Sequence, residues 1–188
     1  MKQTLAQRQK SHIVDTSRVP SAVLIPIYYK QGEYHILFTK RTEKVKHHKG
    51  QISFPGGAYE EKDGTLLNTA LRECAEEIGL PAEAVEPLGE LDDFLTISSS
   101  YIISPFVSVI PWPYPLKVDP KEVEEIVEVP ISALLDKSYL RRGTDTLEGQ
   151  VITTYFYHYH EKVIWGATAR ILNQFLDIWT EVMNETSE

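Results

Sequence analysis

The chain has a single cysteine, Cys74, and no uninterrupted apolar run of about 18 residues. One cysteine excludes an intrachain disulfide framework and a zinc site built from cysteine pairs. There is also no apolar targeting segment at the N-terminus. We therefore expect a soluble, cytoplasmic protein that does not bind membranes.

Positive charge is scarce: 19 Lys and Arg against 27 Asp and Glu give a formal net charge of -8. This balance argues against sequence-independent binding of nucleic acid, although a nucleotide held through metal ions is compatible with it. The exception is the basic segment 40–49, which holds five Lys or Arg, two His and one acid. It would attract a phosphate-rich ligand; a solvated loop is the alternative.

The length of 188 residues fits one domain, and 42% hydrophobic residues suffice for a sizeable core. Residues 1–18 are polar, and we expect them to be frayed or loosely docked, as an extension before a single domain over 19–183. We interpret residues 184–188 as a C-terminal tail. Predicted strands and helices are interspersed along the domain, which indicates the α/β class.

Two apolar, β-rich runs at 22–29 and 34–39 flank a glycine-containing turn and predict a hairpin. Further strands are predicted near 85–95, 101–110, 124–129 and 151–164. A helix is predicted from Thr168. Its apolar stripe, which we assign to the core, comprises Leu172, Phe175, Leu176, Trp179 and Met183.

A second predicted helix, over 66–78, carries three glutamates on one side. A helix turns by about 100° per residue, so Glu73, Glu76 and Glu77 cluster together. The opposite, apolar side is formed by Leu67, Leu71, Cys74 and Ile78. Closely spaced carboxylates repel each other. A bound Mg²⁺ or Mn²⁺ would replace this repulsion with a net attraction, because all of the carboxylates would bind the same cation. A solvated acidic face is the alternative interpretation.

The flanks of this helix favour a functional site. Phe54–Gly57 contains paired glycines, which let the main chain approach a ligand closely. Asp63 and Thr65 are candidate helix caps, and Gly79 lies where a helix would stop in the left-handed conformation. Loop, capped helix and glycine stop thus form one unit.

This unit resembles the Nudix hydrolase box, GX5EX7REUXEEXGU. From Gly57 the chain reads GX5DX8RECAEEIGL, with one extra residue and Asp63 in place of the first Glu. The resemblance implies the Nudix fold, a mixed β-sheet sandwiched between α-helices. It also implies metal-dependent hydrolysis of a nucleoside diphosphate linked to another group. The role of Asp63 stays open at this point.

A longer resemblance covers residues 37–57. Leu37–Arg41, then Lys46, His48, Gly50 and the Phe-Pro-Gly-Gly turn, resemble the extra signature of the coenzyme A pyrophosphatase branch. That branch implies cleavage of coenzyme A or its derivatives to 4′-phosphopantetheine, or its acyl form, and adenosine 3′,5′-bisphosphate. The alternatives are hydrolysis of ADP-ribose, NADH or a nucleoside triphosphate, or a non-catalytic nucleotide-binding domain.

The box also implies roles for single residues. Glu73, Glu76 and Glu77 would bind the metal together with the backbone carbonyl of Gly57. Arg72 would orient these carboxylates through charge-assisted hydrogen bonds, with a surface ion pair as the alternative.

Outside the box, Glu122 is the candidate for the distant acid that Nudix enzymes often recruit as base or ligand, with a solvated charge run as the alternative. Residues assigned to the small-molecule nucleotide substrate, including the 3′-phosphate of coenzyme A, are Arg41, Lys46, His48, Gly56 and Gly57. The oligomeric state is open between monomer and homodimer.

Overall fold

The computed structural model describes residues 1–43, 49–97 and 99–186. The helices of this part of the chain are α1 Lys2–Gln7, α2 Leu66–Ile78, α3 Ile131–Leu135 and α4 Gly166–Thr186. Its strands are β1 Val19–Lys30, β2 Glu33–Arg41, β3 Ile52–Ser53, β4 Gly56–Ala58, β5 Glu86–Glu90, β6 Phe94–Leu95, β7 Tyr101–Val109, β8 Val123–Pro130, β9 Leu140–Leu147, β10 Gln150–Tyr159 and β11 Lys162–Ile164.

The main sheet is mixed and has the strand order β3-β2-β1-β7-β5, with β4 paired to β1, β6 to β7 and β8 to β2. β1 runs parallel to β7 and antiparallel to β2. β2 pairs with the second half of β1, whereas β4 pairs with its first half, at 21–23. The strands β1 and β2 therefore diverge, and the 54–57 turn lies in the gap between them.

The predicted hairpin is confirmed as β1 and β2, both longer than expected. Its turn places Gln31 and Gly32 at positive φ, 52° and 93°. Glycine has no Cβ and adopts this backbone conformation without strain, which explains why the chain reverses here. The second strand ends at Arg41, at the edge of the basic segment.

The sheet has a hydrophobic cluster on each face. One cluster packs the sheet against α4 and the other packs it against α2. The predicted sandwich of a mixed sheet between helices is thus confirmed. The buried side chains of α2 that join the second cluster are Ala70, Cys74 and Ile78.

The ends of α2 are where the sequence predicts them. Thr65 is the N-cap, and its Oγ1 accepts a hydrogen bond from the Asn68 amide at 3.1 Å. Gly79 ends the helix in the left-handed conformation with φ of 69°. Asp63 lies before this cap, in a short 3-10 turn, so its prediction as the helix cap is wrong.

A second, three-stranded sheet has the order β11-β10-β9. The predicted strand over 151–164 corresponds to β10 and β11, which are separated by a turn at His160. β9 is absent from the sequence prediction. Its residues are mostly polar and exposed, so they carry no apolar alternation by which a strand can be recognised.

The last helix begins at Gly166, two residues before the predicted start. Of its predicted stripe, Leu172, Phe175 and Leu176 are buried, whereas Met183 is 46% exposed because the helix runs past the edge of the core. The helix continues to Thr186, so residues 184–186 of the predicted tail are helical. In the described part of the chain, no helix combines the length and apolarity needed to cross a membrane.

The N-terminal residues are docked on the sheet, which is one of the two arrangements expected for them, frayed or loosely docked. Leu5 is buried against Gly89 of β5. Arg8 donates a 2.8 Å hydrogen bond to Asp92, and Lys10 lies 3.0 Å from Asp93. One apolar anchor and two cations facing acids hold this segment, hereafter the N-terminal strap (residues 1–18).

Candidate active site

The gap between β1 and β2 brings the glycine turn against α2. The Leu24 amide donates to the Pro55 carbonyl at 2.9 Å, which fixes the turn to the sheet. A Cβ added to Gly57 would lie 2.3 Å from Oε1 of Glu73, so the backbone at this position and the carboxylate are in direct contact. The absence of a side chain at Gly57 is what permits this approach.

The three predicted metal ligands differ in depth. Glu77 is 2% exposed, whereas the side chains of Glu73 and Glu76 are 15% and 57% exposed. Glu77 shares a side of α2 with Glu73, four residues earlier, but it is buried beside the core, so the alternative of a solvated acidic face does not hold for it. Arg41 from β2 covers it, with Nη1 at 3.6 Å from its Oε1.

The environment of Glu77 disfavours its charged form. Burial raises its pKa to about 8; the Arg41 cation opposes this rise, the charges of Glu73 and Glu122 add to it, and a backbone hydrogen bond from Gly56 opposes it. The pKa of Glu73 is also raised, chiefly by burial. Two partly desolvated carboxylates thus lie close enough to influence each other.

Two of the three buried side-chain polar atoms without a hydrogen-bond partner among the described residues lie here: Oε2 of Glu77 and Nε of Arg41. Buried polar atoms nearly always have a partner. A divalent cation would satisfy the carboxylate oxygen, and an anionic oxygen would satisfy the guanidinium. The residues present therefore fit a metal ion with a phosphate group beside it.

Arg72 links Asp63, the first acidic residue of the box, to the glutamates of α2. Its Nε and Nη2 bind both carboxylate oxygens of Asp63, and its Nη1 donates to Glu73 at 2.8 Å and Glu76 at 3.0 Å. Hydrogen bonds from Arg72 hold the pKa of Asp63 well below its usual range, against the opposing effect of burial. The first acidic position, left open by the sequence, therefore orients Arg72.

Glu122 is brought to the same site by backbone pairing. Its carbonyl accepts from the Thr42 amide at 2.9 Å, at the point where β8 begins beside β2. Its side chain is exposed, and its charge contributes to the raised pKa of both Glu73 and Glu77. The predicted distant acid therefore lies near enough to the box glutamates for its charge to act on them.

The segment before Glu122 is attached to the end of α2. The Lys117 amide donates to the Ile78 carbonyl and the Asp119 amide donates to the Glu77 carbonyl, each at 2.9 Å. The Glu122 amide in turn donates to the Asp119 carbonyl at 3.1 Å. Backbone bonds alone thus link Glu122 to the residue that carries the buried carboxylate.

Among the predicted substrate-binding residues, Arg41, Gly56 and Gly57 meet at this site, whereas Lys46 and His48 lie outside the described residues. The amide of Gly56 is engaged with Glu77, a contact that the sequence did not indicate. Two adjacent glycines predict that the backbone approaches another group closely, but they do not identify that group.

Within the ranges that the structure describes, no three His, Cys, Asp or Glu side chains form a ready-made cluster for a metal ion. Arg72 draws Glu73 and Glu76 toward its guanidinium, and Glu77 lies deeper. Magnesium is usually bound by one or two carboxylates together with waters and substrate phosphates. An open set of oxygen ligands of this kind suits a metal that is shared with a diphosphate.

Comparison with known proteins identifies relatives that cover most of the chain. The NUDIX domain model matches residues 18–147. The chain is 39% identical over 154 residues to an uncharacterised Nudix hydrolase, NudL, of Photorhabdus laumondii subsp. laumondii, covering 82% of this chain and 81% of that protein. A protein of the same description from Yersinia pestis is 36% identical over 162 residues, covering 86% and 80% of the two chains.

Among solved structures, a MutT/nudix family protein from Enterococcus faecalis superimposes with a TM-score of 0.60 at 14% identity, covering 95% of this chain and 66% of that chain. At this identity the likeness concerns the fold alone. It agrees with the mixed sheet between helices described above.

Proposed function

The chain belongs to the NUDIX domain family of hydrolases, and on that premise we propose that it hydrolyses the diphosphate bond of coenzyme A or its derivatives. The products are 4′-phosphopantetheine, or its acyl form, and adenosine 3′,5′-bisphosphate. Membership in the family itself supports the coarser activity, which is metal-dependent hydrolysis of a nucleoside diphosphate derivative.

The observation that supports coenzyme A is the 3.6 Å contact between Arg41 and Glu77. Arg41 ends the first half of the 37–57 signature, and the second half is the Phe-Pro-Gly-Gly turn that contacts Glu73 and Glu77. Both halves of the signature therefore converge on the box carboxylates. This convergence is expected if the signature recognises the substrate that the box cleaves.

We assign Mg²⁺ or Mn²⁺ to Glu73, Glu76, Glu77 and the carbonyl of Gly57. When bound, the metal neutralises charge on the diphosphate and lowers the pKa of a coordinated water. Arg72 holds two of these carboxylates in place through Nη1.

The other residues act on the substrate and on a proton. Arg41, whose Nε is buried without a partner, donates to an oxygen of the diphosphate. Glu122 accepts the proton of the attacking water, since it is exposed and near enough for its charge to raise the pKa of Glu77. Lys46 and His48 are assigned to the remaining phosphate, the 3′-phosphate of the adenosine.

The proposal is tested with purified protein, Mg²⁺ or Mn²⁺, and coenzyme A, an acyl-coenzyme A, ADP-ribose, NADH and a nucleoside triphosphate as separate substrates. We expect the highest kcat/KM for coenzyme A or its acyl form. Preference for ADP-ribose would refute the substrate, and no turnover of any compound would refute the enzyme. Glu77→Gln should lower kcat by about 10²-fold to 10³-fold, a loss typical of removing an electrostatic contact to the reacting group.

Two substitutions separate the phosphate assignments. Arg41→Gln should lower kcat/KM equally for coenzyme A and for its 3′-dephospho form, because the diphosphate is common to both. Lys46→Gln should raise KM for coenzyme A more than for the 3′-dephospho form. If Arg41→Gln instead discriminates between the two substrates, Arg41 binds the 3′-phosphate.

A further inference from the structure

An open cleft lies on the face of the main sheet that packs against α4, whereas the box helix α2 packs on the other face. It has a volume of about 400 Å³, within the range of small-molecule sites. Its walls come from β6, β10 and α4. The residues used below are Phe94, Thr153, Tyr155, Arg170, Asn173 and Asp177.

Arg170 is the cation of this cleft. Its Nη1 donates to the Leu95 carbonyl at 3.0 Å, and its guanidinium lies 5.4 Å from the centre of the Phe94 ring. No carboxylate of a described residue lies within 4.0 Å of it. Burial lowers its pKa, as expected for a partly desolvated cation without an acid to compensate it.

The acid in the same cleft does not neutralise Arg170. Asp177 lies seven residues further along α4, about 10 Å along the helix axis, and accepts a 3.0 Å hydrogen bond from Asn173 Nδ2. The Oδ1 atom of Asn173 accepts from the hydroxyl of Tyr157 at 3.1 Å. Asp177, Asn173 and Tyr157 are thus hydrogen-bonded to one another and not to Arg170. The guanidinium N–H groups of Arg170 that do not bind Leu95 are therefore available to a ligand.

Aromatic side chains line the cleft beside this cation. Phe94 and Tyr155 are both half-buried and pack against the core of the α4 face. Arg142, opposite Tyr155 on β9, lies 5.9 Å from the centre of its ring and adds positive charge near the cleft. A guanidinium with free donors beside two rings suits a flat, negatively charged molecule.

We propose that this cleft binds a small organic anion with a planar ring. The carboxylate or phosphate of the ligand pairs with the guanidinium of Arg170, and its ring packs against Phe94 and Tyr155. The site is separate from the box glutamates and does not depend on the reaction proposed for them.

The test uses benzoate, phenyl phosphate and benzyl alcohol as probes of the full chain, with binding followed through the backbone amide NMR signals of Thr153 and Asn173. We expect saturable shifts with at least one anion and weaker binding of the neutral alcohol. The two anions distinguish a carboxylate site from a phosphate site, and phenyl phosphate bound among the box residues would shift the Gly57 amide instead. Absence of saturable shifts at Thr153 and Asn173 with either anion would refute the site.

Arg170→Gln should weaken anion binding at least about tenfold, since the variant loses a charge-assisted hydrogen bond and a tenfold change corresponds to about 1.4 kcal/mol. Arg141→Gln is the matched control, because Arg141 is exposed on β9 and is not among the residues that line the cleft. Arg170→Lys keeps the charge and should bind with intermediate affinity, which separates loss of charge from loss of fold; circular dichroism checks the fold of each variant. Unchanged binding in Arg170→Gln, or equal binding of benzyl alcohol and benzoate, would refute the proposal.

Discussion

Arg72 binds both carboxylate oxygens of Asp63, with 2.8 Å from Nε to Oδ1 and 3.1 Å from Nη2 to Oδ2. Asp63 also accepts hydrogen bonds from the Glu60 amide and the Thr69 hydroxyl. The planar guanidinium matches a carboxylate in this two-point geometry, which a lysine could not reproduce. The 3-10 turn before α2 is thereby fastened to the residue that orients the box glutamates.

We expect Asp63→Asn to lower kcat about tenfold to a hundredfold, as when a residue that orients metal ligands is lost. Its melting temperature should also fall, because Arg72 loses its anionic partner. Glu61→Gln is the control, since Glu61 is exposed in the same turn. Steady-state kinetics and thermal melts measure both effects. Equal behaviour of the two variants would show that the ion pair has no role in orientation.

Gly57→Ala should lower activity with little change in fold. The new Cβ would lie 2.3 Å from Oε1 of Glu73, so this carboxylate has to move away from its position beside the turn. Gly32→Ala is the comparison, because its Cβ meets no atom within 4 Å and its φ of 93° strains only a remote hairpin. We expect Gly32→Ala to lose stability but keep its kcat. Gly57→Ala should instead keep its stability and lose kcat. Full activity in Gly57→Ala would contradict the close approach.

Glu122→Gln should reduce kcat by about 10²-fold or more if Glu122 accepts the proton of the attacking water, with KM little changed. Glu124→Gln is the matched control: Glu124 lies two residues later and pairs with Lys40 at 2.8 Å. Initial rates at saturating metal separate the two variants. A similar, small effect in both would assign residues 122–125 to a solvated charge run.

The N-terminal strap should detach in acid. Burial raises the pKa of Asp93, but hydrogen bonds from Ser104, from the Ile13 amide and from Lys10 outweigh it, and the net pKa is lowered. A carboxyl group whose pKa is lower in the folded state contributes stability above its unfolded value, near 3.9, and loses it as pH falls through the folded value.

Amide hydrogen exchange at Ile13 should therefore be slow at neutral pH and accelerate, relative to its intrinsic rate, below about pH 4. Asp93→Asn should make this exchange fast at every pH, whereas Asp145→Asn on the exposed β9 should not change it. Protection at Ile13 that persists to low pH would show that the ion pairs do not hold the strap.

The local features of α2 could be predicted from the sequence, because a cap at Thr65 and a stop at Gly79 depend on neighbouring residues. The burial of Glu77 could not, since it depends on Arg41 and on residues 117–119, which are distant in sequence. β9 was missed for a different reason. A polar strand whose residues are mostly exposed has the same composition as a loop.

The role of Asp63 follows from the sequence motif and the tertiary structure together. The box pattern indicated an acid near this position but not its partner, because one extra residue separates it from Arg72. Between Asp63 and Arg72 the chain turns at Gly64, whose φ of 70° favours glycine, and Arg72 then reaches back to Asp63 from the second turn of α2.

The backbone bonds between residues 117–119 and the end of α2 have a consequence for how this family can vary. The amides of Lys117 and Asp119 make these bonds, so the Lys117 side chain can change without loosening the attachment. The Asp119 carboxylate, in contrast, accepts a hydrogen bond from the Lys121 amide at 2.9 Å in the turn before Glu122. Substitution at position 117 should therefore leave Glu122 at the same distance from Glu77. Proline is the exception, because it has no amide hydrogen to donate. Sequence drift at this position is compatible with an unchanged active site.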